Sequence, residues 1–121
     1  MIAVGTDILN FERVEDVVKR QGDRFVERIL TPEEREEYAA SARPINLLAK
    51  RFAAKEAVAK SLGTGIGRGV SWQDIRITHD DNGAPHVELS GAALRVAGQR
   101  GGSRVALSLA DEVNCVIAFA V

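Results

Sequence analysis

The 121-residue chain carries 16 Lys and Arg against 17 Asp and Glu, a formal net charge of -1, with 45% apolar and 27% charged residues. A chain of this length and composition makes one domain, spanning residues 1–121, with a modest core. It has no apolar run of about 20 residues for a membrane span and no basic excess for a nucleic-acid partner. Met1 runs into Ile2, Ala3 and Val4 without a charged leader, so the expectation is a cytoplasmic protein. The lone Cys115 lies in an apolar stretch and reads as a small core residue.

Ile2 to Leu9 is too short for a helix and reads as a buried strand, with Asp7 near its end. From Asn10, which can cap, the period turns helical through Phe11, Val14, Val17 and Val18, and Gly22 ends that helix. Phe25, Val26, Ile29 and Leu30 predict a further short helix. Thr31-Pro32-Glu33-Glu34 then forms a capping box with proline at the first helical position, opening a charged helix expected to run to about Arg43 and Pro44. A longer, alanine-rich helix follows from about Ile45 to Leu62, closed by Gly63, and residues 63–69 form a flexible glycine-rich loop. Ile75 to Thr78 and Val87 to Leu89, joined at Asp81-Asn82-Gly83, form a hairpin. A short helix over Ala92 to Ala97 precedes two more strands, Val105 to Leu109 and Cys115 to Val121. One strand, several helices and then hairpin-connected strands predict an α+β fold, an antiparallel sheet packed against a long central helix.

Few residues carry chemistry on pattern alone. The glycine loop follows a helix and lacks the GK[ST] ending of a phosphate loop, so by itself it reads as a connection. Glu56 and Lys60 stand one turn apart and make an ordinary ion pair unless their face is packed, as the neighbouring Ala49, Phe52 and Ala53 imply. Asp7 is either a turn former or, if it meets Glu56 in space, half of a hard-cation site of the kind magnesium uses with substrate phosphates. His79 and His86 have no companions at metal spacing and read as surface residues. Arg13, Lys19, Arg20, Arg24 and Arg28, with Phe25 among them, form either a solvated surface or a docking face for an acidic protein.

Taken in order, Gly5-Thr6-Asp7-Ile8, Arg51-Phe52-Ala53-Ala54-Lys55-Glu56-Ala57 with Lys60, and Gly63-Thr64-Gly65-Ile66-Gly67 closely resemble the holo-acyl-carrier-protein synthase family, the small bacterial 4′-phosphopantetheinyl transferases. The resemblance spans essentially the whole chain, including Phe25 to Thr31, Val70 to Ile75 and Asn82-Gly83 with Pro85. It implies transfer of the phosphopantetheine arm of coenzyme A to a serine of apo acyl carrier protein, for fatty acid biosynthesis. It further implies magnesium held by Asp7 and Glu56, with Glu56 and Lys60 catalytic. Arg51, Lys55, Lys60, Gly63, Thr64, Gly65, Ile66 and Pro85 would bind coenzyme A, and Arg13, Arg20, Arg24, Phe25 and Arg28 would dock the carrier. A homotrimer with active sites at subunit boundaries is implied too. One departure stands out: many relatives carry a Ser-His pair where this chain has Ser108-Leu109-Ala110-Asp111, and a bare carboxylate there would repel a phosphate.

Overall fold

The computed structural model describes residues 3–102 and 104–121. The elements are β1 (Gly5–Asn10), α1 (Phe11–Gln21), α2 (Asp23–Ile29), α3 (Pro32–Ala40) and α4 (Pro44–Ser61). A 3-10 turn at Trp72–Asp74, β2 (Ile75–His79), β3 (Pro85–Leu89), α5 (Gly91–Gln99), β4 (Leu107–Asp111) and β5 (Cys115–Ala120) complete the chain. The expected opening of the first strand at Ile2 lies outside the described residues.

The strands form two antiparallel sheets, β1-β5-β4 and the hairpin β2-β3. The fold is thus the expected α+β arrangement around a long helix, with the strands divided between two sheets. In the larger sheet Asp7 pairs with Ala118 and Ile8 with Ile117, so alternate residues face opposite sides. The inner face carries the buried Val116, Ala118 and Ala120 and packs on α4, whose Ala53, Ala57 and Val58 are fully buried. Gly5 makes this approach possible. A Cβ there would collide with the Ala57 carbonyl oxygen and come within 2.7 Å of the Ser61 amide nitrogen. Strand and helix therefore touch backbone to backbone, and Asp7, two residues on and on the same face, is delivered against α4.

Local signals set most of the boundaries. The Asn10 side chain accepts a hydrogen bond from the Glu12 amide and starts α1, and the Thr31/Glu34 capping box starts α3. α3 stops at Ala40, ahead of the expected end, because Ser41 takes up the Arg43 amide through its hydroxyl and Pro44 begins a new helix. β4 begins at Leu107, two residues later than expected, although Ala106 and Val121 still exchange backbone hydrogen bonds at 2.9 Å beside it. Cys115 is half-buried at the start of β5 and not a core residue. The glycine loop is more tied down than a flexible connection, since the Gly65 amide donates to the Ala59 carbonyl and Gly67 and Val70 bridge each other.

Candidate functional site

Asp7 from β1 and Glu56 from α4 line one cleft of about 390 Å³, together with Leu9, Arg13, Val14, Val17, Phe25 and Phe52. The Lys60 ammonium donates to an Asp7 carboxylate oxygen at 3.2 Å and to the Thr6 carbonyl at 3.0 Å. Glu56 accepts no protein hydrogen bond among the described residues. Burial first, and the negative charge of Asp7 second, push its carboxyl above the usual range, while Lys60 partly counters both. Two carboxylates on one wall, one of them short of positive charge, form an all-oxygen donor set in which an added cation would lower the energy. No cluster of three or more His, Cys, Asp and Glu suited to a metal occurs among the described residues. Two carboxylates are nevertheless the protein share that magnesium usually takes, with phosphate oxygens and water supplying the rest.

The neighbouring Lys55 behaves differently from the expectation of a phosphate contact. Adjacent helix residues point about 100° apart, so Lys55 turns away from the cleft into the interior. Its ammonium donates to the Glu34 carboxylate at 2.6 Å, the Ile29 carbonyl at 2.7 Å and the Trp72 carbonyl at 3.1 Å, and both ionic side chains are fully buried. All three donors are used, which leaves none for coenzyme A. Burial pulls Lys55 below the ordinary lysine range, and the Glu34 charge opposes the fall.

Arg51 is also buried, yet it is less fully occupied. One terminal nitrogen donates to Glu37 at 3.0 Å, while its Nε has no partner among the described residues. Its charge, after partial burial, is a cause that lowers the His79 pKa, and Lys50 acts in the same sense. His79 pairs in register with Pro85, which places that proline beside a group of cationic residues. Lys50 lies 3.6 Å from the Asp111 carboxylate, so the acid that departs from the expected pattern is paired with a cation.

Gly63, Thr64, Gly65 and Ile66 form a tight turn just past the end of α4, beginning three residues beyond Lys60, with Gly63 and Gly65 at positive φ. Arg24 and Arg28 are exposed on α2. Arg20 is exposed in the last turn of α1, where its Nε donates to the Asp16 carbonyl, and Arg13 sits at the cleft. Phe25 is not the exposed aromatic expected among them. It is 6% exposed, stacks on Phe52 with ring centroids 6.0 Å apart, and forms cleft wall. Sequence reasoning passed over the apolar wall residues Val14, Val17 and Phe52; their helical spacing marked them as core and carried no sign that the core opens beside Asp7.

The family model described as 4′-phosphopantetheinyl transferase superfamily matches residues 3–115, and the chain belongs to that superfamily. Its likenesses lie among the holo-[acyl-carrier-protein] synthases. The chain is 53% identical over 122 residues to the synthase of Shewanella denitrificans, covering 100% of this chain and 96% of that protein. The crystal structure of the Neisseria meningitidis synthase superposes with a TM-score of 0.91 at 48% identity, covering 99% of this chain and 97% of that one. The Helicobacter pylori synthase in complex with coenzyme A gives a TM-score of 0.84 at 31% identity, covering 98% and 97%.

Proposed function

We propose that Asp7 and Glu56 hold a magnesium ion in a chain that transfers the 4′-phosphopantetheine group from coenzyme A to a serine of apo acyl carrier protein. The products are holo acyl carrier protein and adenosine 3′,5′-bisphosphate. The observation that carries this reading is that Asp7 and Glu56 line one cleft with Lys60 paired to Asp7 beside it, in a full-length relative of synthases that perform the reaction. Magnesium would supply charge neutralisation on the pyrophosphate, chemistry that phosphoryl transfer needs in place of a covalent intermediate.

The chain's own residues do the rest. The serine oxygen forms a bond to the phosphorus that carries the pantetheine arm, its proton passes to a base for which Glu56 is the candidate side chain at the cleft, and the bond from that phosphorus to the bridging pyrophosphate oxygen breaks. Negative charge gathers on the departing phosphate, and Lys60 is the side chain placed to meet it. In the free chain Lys60 holds Asp7 instead, at 3.2 Å, so the lysine exchanges one anion for another when coenzyme A enters. Arg51 with its unpartnered Nε, Pro85 and the turn Gly63, Thr64, Gly65 and Ile66 are assigned to coenzyme A. Arg13, Arg20, Arg24 and Arg28 are assigned to the acidic carrier, with Phe25 as wall.

A homotrimer accompanies this reading. The outer face of the β1-β5-β4 sheet leaves Ile8 66%, Ile117 46% and Phe119 42% exposed, an apolar strip that a neighbouring subunit would cover. No described helix is long and apolar enough to cross a membrane. With coenzyme A and a carrier protein as co-substrates, we place the single-domain chain in the cytoplasm, serving fatty acid biosynthesis.

Incubation with apo acyl carrier protein, coenzyme A and magnesium should add one phosphopantetheine to the carrier by mass spectrometry; an unchanged mass overturns the reading. Arg24→Glu should raise KM for the carrier roughly tenfold and KM for coenzyme A by less than twofold, because rim charges act mainly on encounter. Equal effects on both substrates would remove α2 from the docking surface.

A further inference from the structure

We propose that Gln73 is a positioning residue for carrier docking, fixing the short helix that carries Arg24 and Arg28 by capping its C-terminal carbonyls. This rests on the reading of α2 as part of the carrier-docking surface.

A seven-residue helix is too short to persist on its own, and α2 begins at Gly22 without a side-chain cap. Its final carbonyls have no helical amides to accept from and need outside donors. Two side chains supply them. The Gln73 amide nitrogen lies 3.1 Å from the Glu27 carbonyl, 3.3 Å from that of Arg28 and 2.8 Å from that of Leu30. The Lys55 ammonium takes the one carbonyl left in the run, Ile29, at 2.7 Å. With the two Gln73 amide hydrogens shared among three carbonyls and the Lys55 ammonium on the fourth, the helix end is held from outside the helix.

Gln73 is itself fixed. Its amide N–H donates to the Ser71 hydroxyl at 3.1 Å, and the Ser71 amide donates to Asp74 at 3.1 Å, closing a capping box around the 3-10 turn. Trp72, next to it, stacks on Phe52 at 4.9 Å, and Phe52 stacks on Phe25 of α2. The turn is thus tied to α2 on two sides, by an aromatic stack at the cleft and by the Gln73 amide at the helix end. Because Gln73 is exposed while Lys55 is buried, the two tethers separate cleanly. Removing Lys55 disturbs the core; removing the Gln73 amide loosens only the helix end. Arg24 and Arg28, one turn apart on α2, would then have to be ordered at the expense of binding.

The test compares Gln73→Leu, which keeps the bulk and removes the donors, with Gln73→Lys, which returns a donor of similar reach. Isothermal titration with apo acyl carrier protein in the absence of coenzyme A gives Kd, and steady-state kinetics give both KM values. Gln73→Leu should weaken carrier binding roughly five- to tenfold, the size of one or two net hydrogen bonds. kcat and KM for coenzyme A should stay within twofold, amide exchange at residues 27–30 should quicken, and Gln73→Lys should restore most of the affinity. Unchanged carrier affinity in Gln73→Leu, while Arg24→Glu still weakens it, overturns the positioning role and leaves the docking surface standing. If Arg24→Glu also leaves carrier affinity unchanged, the docking reading falls and this proposal falls with it.

Discussion

Two lysines on α4 meet carboxylates in opposite ways. Lys55 and Glu34 are both fully buried and 2.6 Å apart, with every ammonium hydrogen used and the second Glu34 oxygen accepting from the Ile77 amide at 2.9 Å. Lys60 and Asp7 are partly exposed, 3.2 Å apart, and share their surroundings with Glu56, a carboxylate with no partner of its own. Five residues along a helix correspond to a rotation of about 140° net, enough to send one lysine into the core and the other to the cleft. The buried pair is complete and has nothing left to offer a ligand. The cleft leaves Glu56 without an ion-pair partner among the described residues, and that is what a substrate-bound cation would relieve.

The comparison breaks most visibly in the buried pair. Lys55→Met should cost about 3–5 kcal/mol, because it leaves the Glu34 carboxylate in the core without its cation. Thermal melting at pH 7 checks this, and a loss below about 1 kcal/mol would mean that Glu34 finds another partner. Lys60→Met should leave the melting temperature within a few degrees and lower kcat by about 10²- to 10³-fold, the scale of removing one donor from a developing oxyanion. Comparable stability losses in the two variants would erase the distinction between the lysines.

The smallest expected effect concerns stability and has a defined sign. The folded chain holds the Glu56 proton more tightly than the unfolded chain does, since burial and Asp7 raise its pKa. The favourable contribution of the protonated form is present below the unfolded value near 4.5 and is lost as pH rises through the folded value. At neutral pH the charged Glu56 therefore weakens the fold, and Glu56→Gln should melt slightly higher than wild type at pH 7. The gain should shrink toward zero below about pH 4. A uniform destabilisation at all pH values would mean that Glu56 has a structural partner.

Much of the fold was written in local signals: Asn10 and Thr31 as caps, Pro32 and Pro44 as helix starters, and Asp81-Asn82-Gly83 between alternating strands. Those signals act within a few residues of themselves. The division of the strands into two sheets depends on contacts across the chain, and no local pattern carries it. At the site, Asp7, Glu56 and Lys60 stood out because charge on an apolar strand or a packed helix face demands a partner. Lys55 and Glu34 met the same demand inside the core, but Glu34 was already accounted for by the capping box of a charged helix, so neither residue announced the other. Phe25 misled for a related reason: among arginines it read as surface, whereas the heptad-like companions Val26 and Ile29 belong to the same buried side. Gln73 carried no signal, because its partners are backbone carbonyls 43 to 46 positions away.

The central claim is that Glu56, the cleft carboxylate without a partner among the described residues, serves transfer and not the fold. It is tested most directly by comparing wild type and Glu56→Gln at pH 7, measuring carrier loading by mass spectrometry with coenzyme A and magnesium present and thermal melting with both absent. Wild type should load the carrier, and Glu56→Gln should load it at least about 10²-fold more slowly while melting at the same or a higher temperature. A Glu56→Gln chain that loads at the wild-type rate, or one that loses activity only because it unfolds, would contradict the account.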